Sequence, residues 1–211
     1  AVTGRAEEAE PMLASLIERY PQAVGDDTPG LSRLLINHGN ALRVLGRHQE
    51  ARARIEAGIA MSPSDASSPA RLTDLDALGT VYEALELDRM ALDQFRSQQA
   101  LAESLSADHP GAVVARVKIA SLVCRLRDAN DRELQSMFND AELRVRNAFP
   151  ANHPAVSDVL LRKGECFVDL GLGAAAGEGL QEAIQLFEAR GASTSAATAR
   201  ALLEAIDPPS L

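Results

Sequence analysis

The chain has 211 residues, with 21 basic and 30 acidic side chains for a net charge of −9, aromatics at only 3% and no tryptophan. The acidic balance and the lack of a dense Lys/Arg run argue against nucleic acid and anionic membranes as partners. The longest apolar stretch, Leu31 to Val44, is broken by Arg33, Asn37 and Arg43, so no bilayer span is expected. Ala, Leu, Arg and Glu prevail and β-branched runs are scarce, which predicts an all-α protein of about ten helices. No linker-like segment divides residues 1–211, and a single continuous array is expected.

The chain opens with Gly4, Ala6 and Ala9 followed by Tyr20-Pro21, which reads as the second half of a helical-hairpin unit over residues 1–21. This half unit predicts a segment excised from a longer protein. The clearest unit follows at 32–65. A first helix is predicted over Leu31 to Leu45 and a second over His48 to Met61, with Gly39 and Ala51 meeting where the helices cross and Pro63 ending the second. At 72–107 the pattern recurs as Leu75, Leu78, Gly79, Tyr82, Ala91 and Phe95, with Glu86 in place of the inter-helix glycine. The motif Asp108-His109-Pro110 returns 44 residues later as Asn152-His153-Pro154, so the period lengthens, and growth of the second helices is the expected cause.

The unit at 110–152 lacks both glycines. Ile119, Ala120 and Val123 are its predicted first-helix stripe, Leu134, Met137, Phe138 and Ala141 its second-helix stripe, and an insertion is expected around Arg127 to Arg132. The unit at 154–191 restores the pattern with Gly164, Phe167, Leu170, Gly171, Ala176, Leu180 and Ala183. A terminal helix within 194–206, capped by Ser193 or Thr194 and stopped by Asp207-Pro208-Pro209, is expected to cover the last apolar face. A unit of this kind cannot bury its own apolar face, which predicts stacking into a right-handed α-α superhelix.

The set Gly39, Leu42, Gly46, Ala51, Ile55 and Pro63 resembles the tetratricopeptide repeat, and the Asp/Asn-His-Pro junctions with their longer period resemble its kinesin-light-chain type, common in bacterial multidomain proteins. The resemblance implies that first helices line a concave groove that holds a peptide. Carried over by register, it places Arg33, Ile36, Asn37, Asn40, Arg43 and Val44 in the groove from the unit at 32–65, then Asp76, Thr80 and Glu83. The unit at 110–152 contributes Val117, Lys118, Ser121, Cys124 and Arg125, and the last one Asp158, Leu161, Arg162, Glu165, Val168 and Asp169.

Asn37, Asn40 and Arg43 lie three apart on one helical face and could form donors for a peptide backbone or carboxylate; alternatively, an asparagine bonds a neighbouring helix. Lys118, Arg125 and Arg43 would favour an acidic peptide, whereas Glu83, Glu165 and Asp169 oppose a uniformly basic groove. His109 and His153 precede prolines at predicted helix starts, where Asp108 and Asn152 would cap free amides. His38 falls in the buried stripe and His48 between helices, and no helix-borne pair of metal-ligand histidines is formed. Cys124 and Cys166, 42 residues apart, show neither a disulfide framework nor metal-ligand spacing and read as reduced, inert thiols of a cytoplasmic protein. No nucleophile motif or phosphate loop occurs, so neither an enzyme nor a cofactor is expected.

The expected function is a protein-interaction module that binds a peptide or protein segment as scaffold or adaptor. The alternative is a sensor or regulatory domain of a larger bacterial kinase or transcription regulator, switched by a peptide or small ligand. Self-association into a homodimer is a further possibility.

Overall fold

A computed structural model describes residues 2–24, 28–61, 69–106 and 108–206, and within them the backbone forms ten α-helices and no strand. These are α1 (Val2–Val24), α2 (Thr28–Val44), α3 (His48–Met61), α4 (Pro69–Ala84), α5 (Asp88–Leu105), α6 (Pro110–Leu126), α7 (Asp131–Ala148), α8 (Pro154–Asp169), α9 (Gly173–Ala189) and α10 (Ser193–Ile206). Pro63 and Asp207-Pro208-Pro209, expected to stop helices, lie outside the described residues. The chain divides into two compact units, residues 1–102 and 103–211.

What turns each first helix back on itself is a single residue in the left-handed region. Gly46 (φ 76°), Glu86 (φ 58°), Arg127 (φ 54°) and Gly171 (φ 72°) occupy the same place after α2, α4, α6 and α8. At Gly46 the closing bonds run from its own amide to the Arg43 carbonyl at 3.1 Å and from the Arg47 amide to the Leu42 carbonyl at 2.9 Å. Equivalent pairs close Glu86, Arg127 and Gly171. This double bond consumes carbonyls that a helix end would otherwise leave unpaired. Glycine adopts the conformation freely, while Glu86 and Arg127 hold it against a Cβ clash.

These four positions recur at intervals of 40, 41 and 44 residues. The longer period therefore begins at the first full repeat rather than after residue 108. The second helices do lengthen, from 14 residues in α3 to 18 in α5 and α7, but the interval of 40 already spans the shorter α3, so their growth is not what sets the longer period. In the repeat at 110–152, the insertion is confined to the turn after Arg127. Asp131 and Arg132 belong to α7, whose first turn is closed by a reciprocal capping box between Asn130 and Glu133.

The helix crossings follow from the same register. A Cβ on Gly39 would stand 2.5 Å from Ile55 Cγ1 and 2.9 Å from the Ala51 carbonyl oxygen, and one on Gly79 would meet the Phe95 ring at 2.6 Å. Gly164 is pressed in the same way against Leu180. Ala120 fills the corresponding position in α6, seven residues before Arg127, and is itself buried.

In the first unit, Ile36, Leu42, Ala51, Ile55, Val81, Leu92 and Phe95 are buried, and the Tyr82 hydroxyl donates to Glu56 at 2.8 Å. Burial, then this bond to a carboxylate, pushes the Tyr82 phenol up to about 12. His38 is buried with its Nε2 3.2 Å from Glu10 of α1; this bond, aided by Arg47, holds the Glu10 carboxyl below the usual range. In the second unit Val113, Val117, Ala141, Val145, Val156, Val159, Leu160, Ala183, Phe187 and Ala196 form one cluster drawn from α6 through α10. The final helix starts at Ser193, so Ser193 and Thr194 lie inside it rather than ahead of it.

The two His-Pro junctions cap helices, but through a different atom from the one expected. His109 and His153 are themselves the N-caps of α6 and α8, and their Nδ1 atoms accept from Gly111 at 3.0 Å and Ala155 at 3.2 Å. The proline that follows each has no amide to satisfy. His153 also stacks on Phe149, with ring centroids 4.2 Å apart.

Candidate functional site

In the first unit the expected groove residues sit on α2 and α4. Arg33 is half-exposed and donates to Asp74 at 3.3 Å, a carboxylate only 4% exposed, so it ties two successive first helices together. Asn37 is exposed, and Asn40 and Arg43 are partly buried. Among the described residues neither asparagine amide bonds a neighbouring helix, and the Arg43 Nε is buried with no acceptor. Thr80 and Glu83 are partly buried and engaged in contacts of their own. Ile36 does not face a groove: it is 1% exposed and packs where α2 crosses α3 at Gly58.

In the second unit Ser121, Arg125, Arg162 and Glu165 line one cavity of about 320 Å³, together with Cys124, Cys166, Asp169 and Leu202. Two first helices, α6 and α8, supply all of these except Leu202 of α10. Arg162 spans the helices, its Nε bonding Asp158 at 3.2 Å and its Nη1 reaching Ser121 Oγ at 3.4 Å. Arg125 is exposed, while Ser121 is 5% exposed. Lys118 is partly buried, makes a contact of its own, and does not line this cavity. Val117 is buried in the core cluster instead of facing the groove.

The cysteines are not free thiols. Cys124 and Cys166 form a disulfide between α6 and α8, with Cα atoms 6.0 Å apart and exposures of 3% and 4%. Their separation of 42 residues is close to one period of the fold, so it brings equivalent levels of consecutive first helices together. The inference of a reducing compartment from free thiols therefore loses its basis. No helix among the described residues is long and apolar enough to cross a membrane.

Two other cavities differ in character. One of about 200 Å³ lies among α7, α8 and α9, and four of its five charged residues form one network: Lys163 bonds Glu142 at 2.9 Å, and Arg146 bonds Glu142 at 2.9 Å and Glu182 at 2.7 Å. Burial pushes the Glu142 carboxyl up, yet the Lys163 and Arg146 bonds outweigh it and hold the group below its ordinary value. A ligand there would have to break this network. The other, about 600 Å³ between α9 and α10, is walled mostly by small and aliphatic residues such as Gly173, Ala174, Leu203 and Ile206. The cavity beside the disulfide gathers guanidinium, hydroxyl and carboxylate groups around one opening.

Of the cavity's residues, Leu202 and Cys166 escape a reading of the sequence by groove register. The signal for Cys166 was its distance of one period from Cys124; Leu202 belongs to a helix expected only to cover an apolar face.

No family model matches the sequence, and no curated protein does. Solved structures do. A Podosopora anserina kinesin-light-chain-type protein of nearly identical TPR-like repeats superposes with a TM-score of 0.66 at 17% identity, over 87% of each chain. The chain has a tetratricopeptide-like solenoid fold. BtubC from P. vanneervenii matches this TPR-like fold too, with a TM-score of 0.67 at 14% identity over 89% of this chain and 75% of its own. On the TPR-like scheme α2, α4, α6 and α8 are first helices, and α3, α5, α7 and α9 are their second helices.

Proposed function

We propose that the chain is a protein-interaction module that holds a peptide or protein segment against its first helices, and that the cavity between α6 and α8 is the centre of that contact in the second unit. The observation that carries this reading is the convergence of Ser121, Arg125, Arg162 and Glu165 on one opening. Stacked helical repeats generally serve as extended binding surfaces, because each repeat adds the same helix face to its neighbour's. A planar guanidinium suits a carboxylate, in paired geometry, better than a lysine would. Arg162 can exchange its long bond to Ser121 for such a contact without unpairing Asp158. Glu165 and Asp169 bound the same opening and favour a ligand that also carries donors, such as a peptide backbone.

Peptides selected on the intact chain from a displayed random library provide the probe. Each charge-assisted bond contributes roughly 1.5–3 kcal/mol, so Arg125→Ala/Arg162→Ala is expected to weaken the selected peptides at least about tenfold while leaving helicity unchanged. Undiminished affinity in that variant, with loss on substituting exposed residues of α7 and α9, would place the working surface on the second helices.

A further inference from the structure

Cys124 and Cys166 lie in the last turns of α6 and α8, where their carbonyls accept the amides of Arg127 and Leu170 at 3.0 Å each. Both residues line a cavity open to solvent. We propose that this disulfide is a thiol-exchange site, opened by a small-molecule thiol entering that cavity, and that its state sets the spacing of the C-terminal ends of α6 and α8.

Three observations support it. First, the approach exists: although Cys124 and Cys166 are only 3% and 4% exposed, both line the cavity of about 320 Å³, which has room for a small thiol. Second, Arg125 and Arg162 bring positive charge to the point where a leaving thiolate forms, opposing the negative helix ends on which both cysteines sit. Glu165 and Asp169 balance that charge for the incoming reagent, so an uncharged thiol is as well suited as an anionic one. Third, α6 and α8 have other reasons to stay together. Val113, Val117, Val156, Val159 and Leu160 pack between them deeper in the repeat, and Arg162 reaches Ser121 beside the cavity. Reduction therefore releases the helix ends without dissolving the unit.

The chemistry balances as ordinary thiol–disulfide exchange. The reagent thiolate attacks one cysteine Sγ, the S–S bond breaks, and the other cysteine leaves as a thiolate that takes up a proton. A second reagent thiol attacks the reagent sulfur of the mixed disulfide and releases the second cysteine. Two electrons enter the protein, and two reagent thiols become one reagent disulfide.

The test is hydrogen exchange on the full chain, as purified without reductant and after treatment with excess 2-mercaptoethanol. The expected result is that two thiols appear only after treatment and helicity is retained. Amide exchange should then rise about tenfold or more in the last turns of α6 and α8 while α2 to α4 stay unchanged. Closing a loop of 42 residues restrains the unfolded chain enough that the melting temperature should also fall by about 10 °C. Cys124→Ser/Cys166→Ser should reproduce the reduced pattern and ignore the reagent; if it does not fold, the treated wild-type chain carries the test alone. Two free thiols before any treatment would overturn the proposal. So would unchanged exchange after reduction, and so would loss of all structure in residues 103–206, which would make the bond a structural staple.

Discussion

The two units solve the same problem with different bonds. In residues 1–102 consecutive first helices are tied by charge, Arg33 of α2 to the buried Asp74 of α4; in residues 103–211 they are tied covalently, Cys124 of α6 to Cys166 of α8. The crossings differ as well. Both crossings of the first unit use glycine, Gly39 and Gly79, whereas the second uses Ala120 once and Gly164 once. The repeat thus fixes where helices must meet and leaves open which chemistry holds them, so the tie between first helices is open to salt in one unit and to reducing agents in the other.

Removing the covalent tie should give the largest effect. With a loop of 42 residues, Cys124→Ser/Cys166→Ser is expected to cost about 4 kcal/mol in denaturant titration, with amide exchange rising most in the last turns of α6 and α8 and that of α2 to α4 little changed. Equal loss in both units would break the contrast. Next comes Gly39→Leu, which drives a large side chain into Ile55 and the Ala51 carbonyl and should cost about 3 kcal/mol in denaturant titration. Its counterpart is Gly177→Ala in α9, where a Cβ meets nothing within 4 Å; stability should rise by up to about 1 kcal/mol through helix propensity alone.

Breaking the charge tie is a smaller perturbation. Arg33 is 47% exposed, so solvent screens the pair, and Arg33→Ala should cost only about 1 kcal/mol despite the burial of Asp74. The loss should shrink in high salt, and a double-mutant cycle with Asp74→Asn should show coupling. Smallest, and opposite in sign, are Glu86→Gly and Arg127→Gly, one in each unit. Each relieves a left-handed residue and should raise stability by about 0.5–1 kcal/mol. A loss at either position would mean that its side chain contributes more than its backbone strain costs.

The repeat architecture was legible because its constraints are local. Gly39, Gly79 and Gly164 mark places where only a hydrogen fits, and Gly46 and Gly171 mark turns that need a positive φ. Even the substitution of Glu86 for glycine pointed to the correct turn. The candidate site was legible in part: Ser121, Arg125, Arg162 and Glu165 were assigned to a groove by register, and they share one cavity. What escaped were facts that depend on the pitch between repeats. The disulfide is invisible at a spacing of 42 residues unless the period of 40 to 44 is already known. Burial of Ile36 and Val117 depends on how deeply each helix face turns toward its second helix, which side-chain spacing alone does not fix. The histidine caps were assigned to the wrong neighbour because Asp108 and Asn152 are better cap formers in general, yet the proline at the next helical position makes His109 and His153 the capping residues.

The central claim, that the first helices form the binding surface, is tested most directly by a hydrogen-exchange footprint of a library-selected peptide on the intact chain. The account predicts protection on α6 and α8 around Arg125, Arg162 and the disulfide, with α7 and α9 unaltered. Protection confined to α7 and α9, with α6 and α8 exchanging as in the free chain, would contradict it.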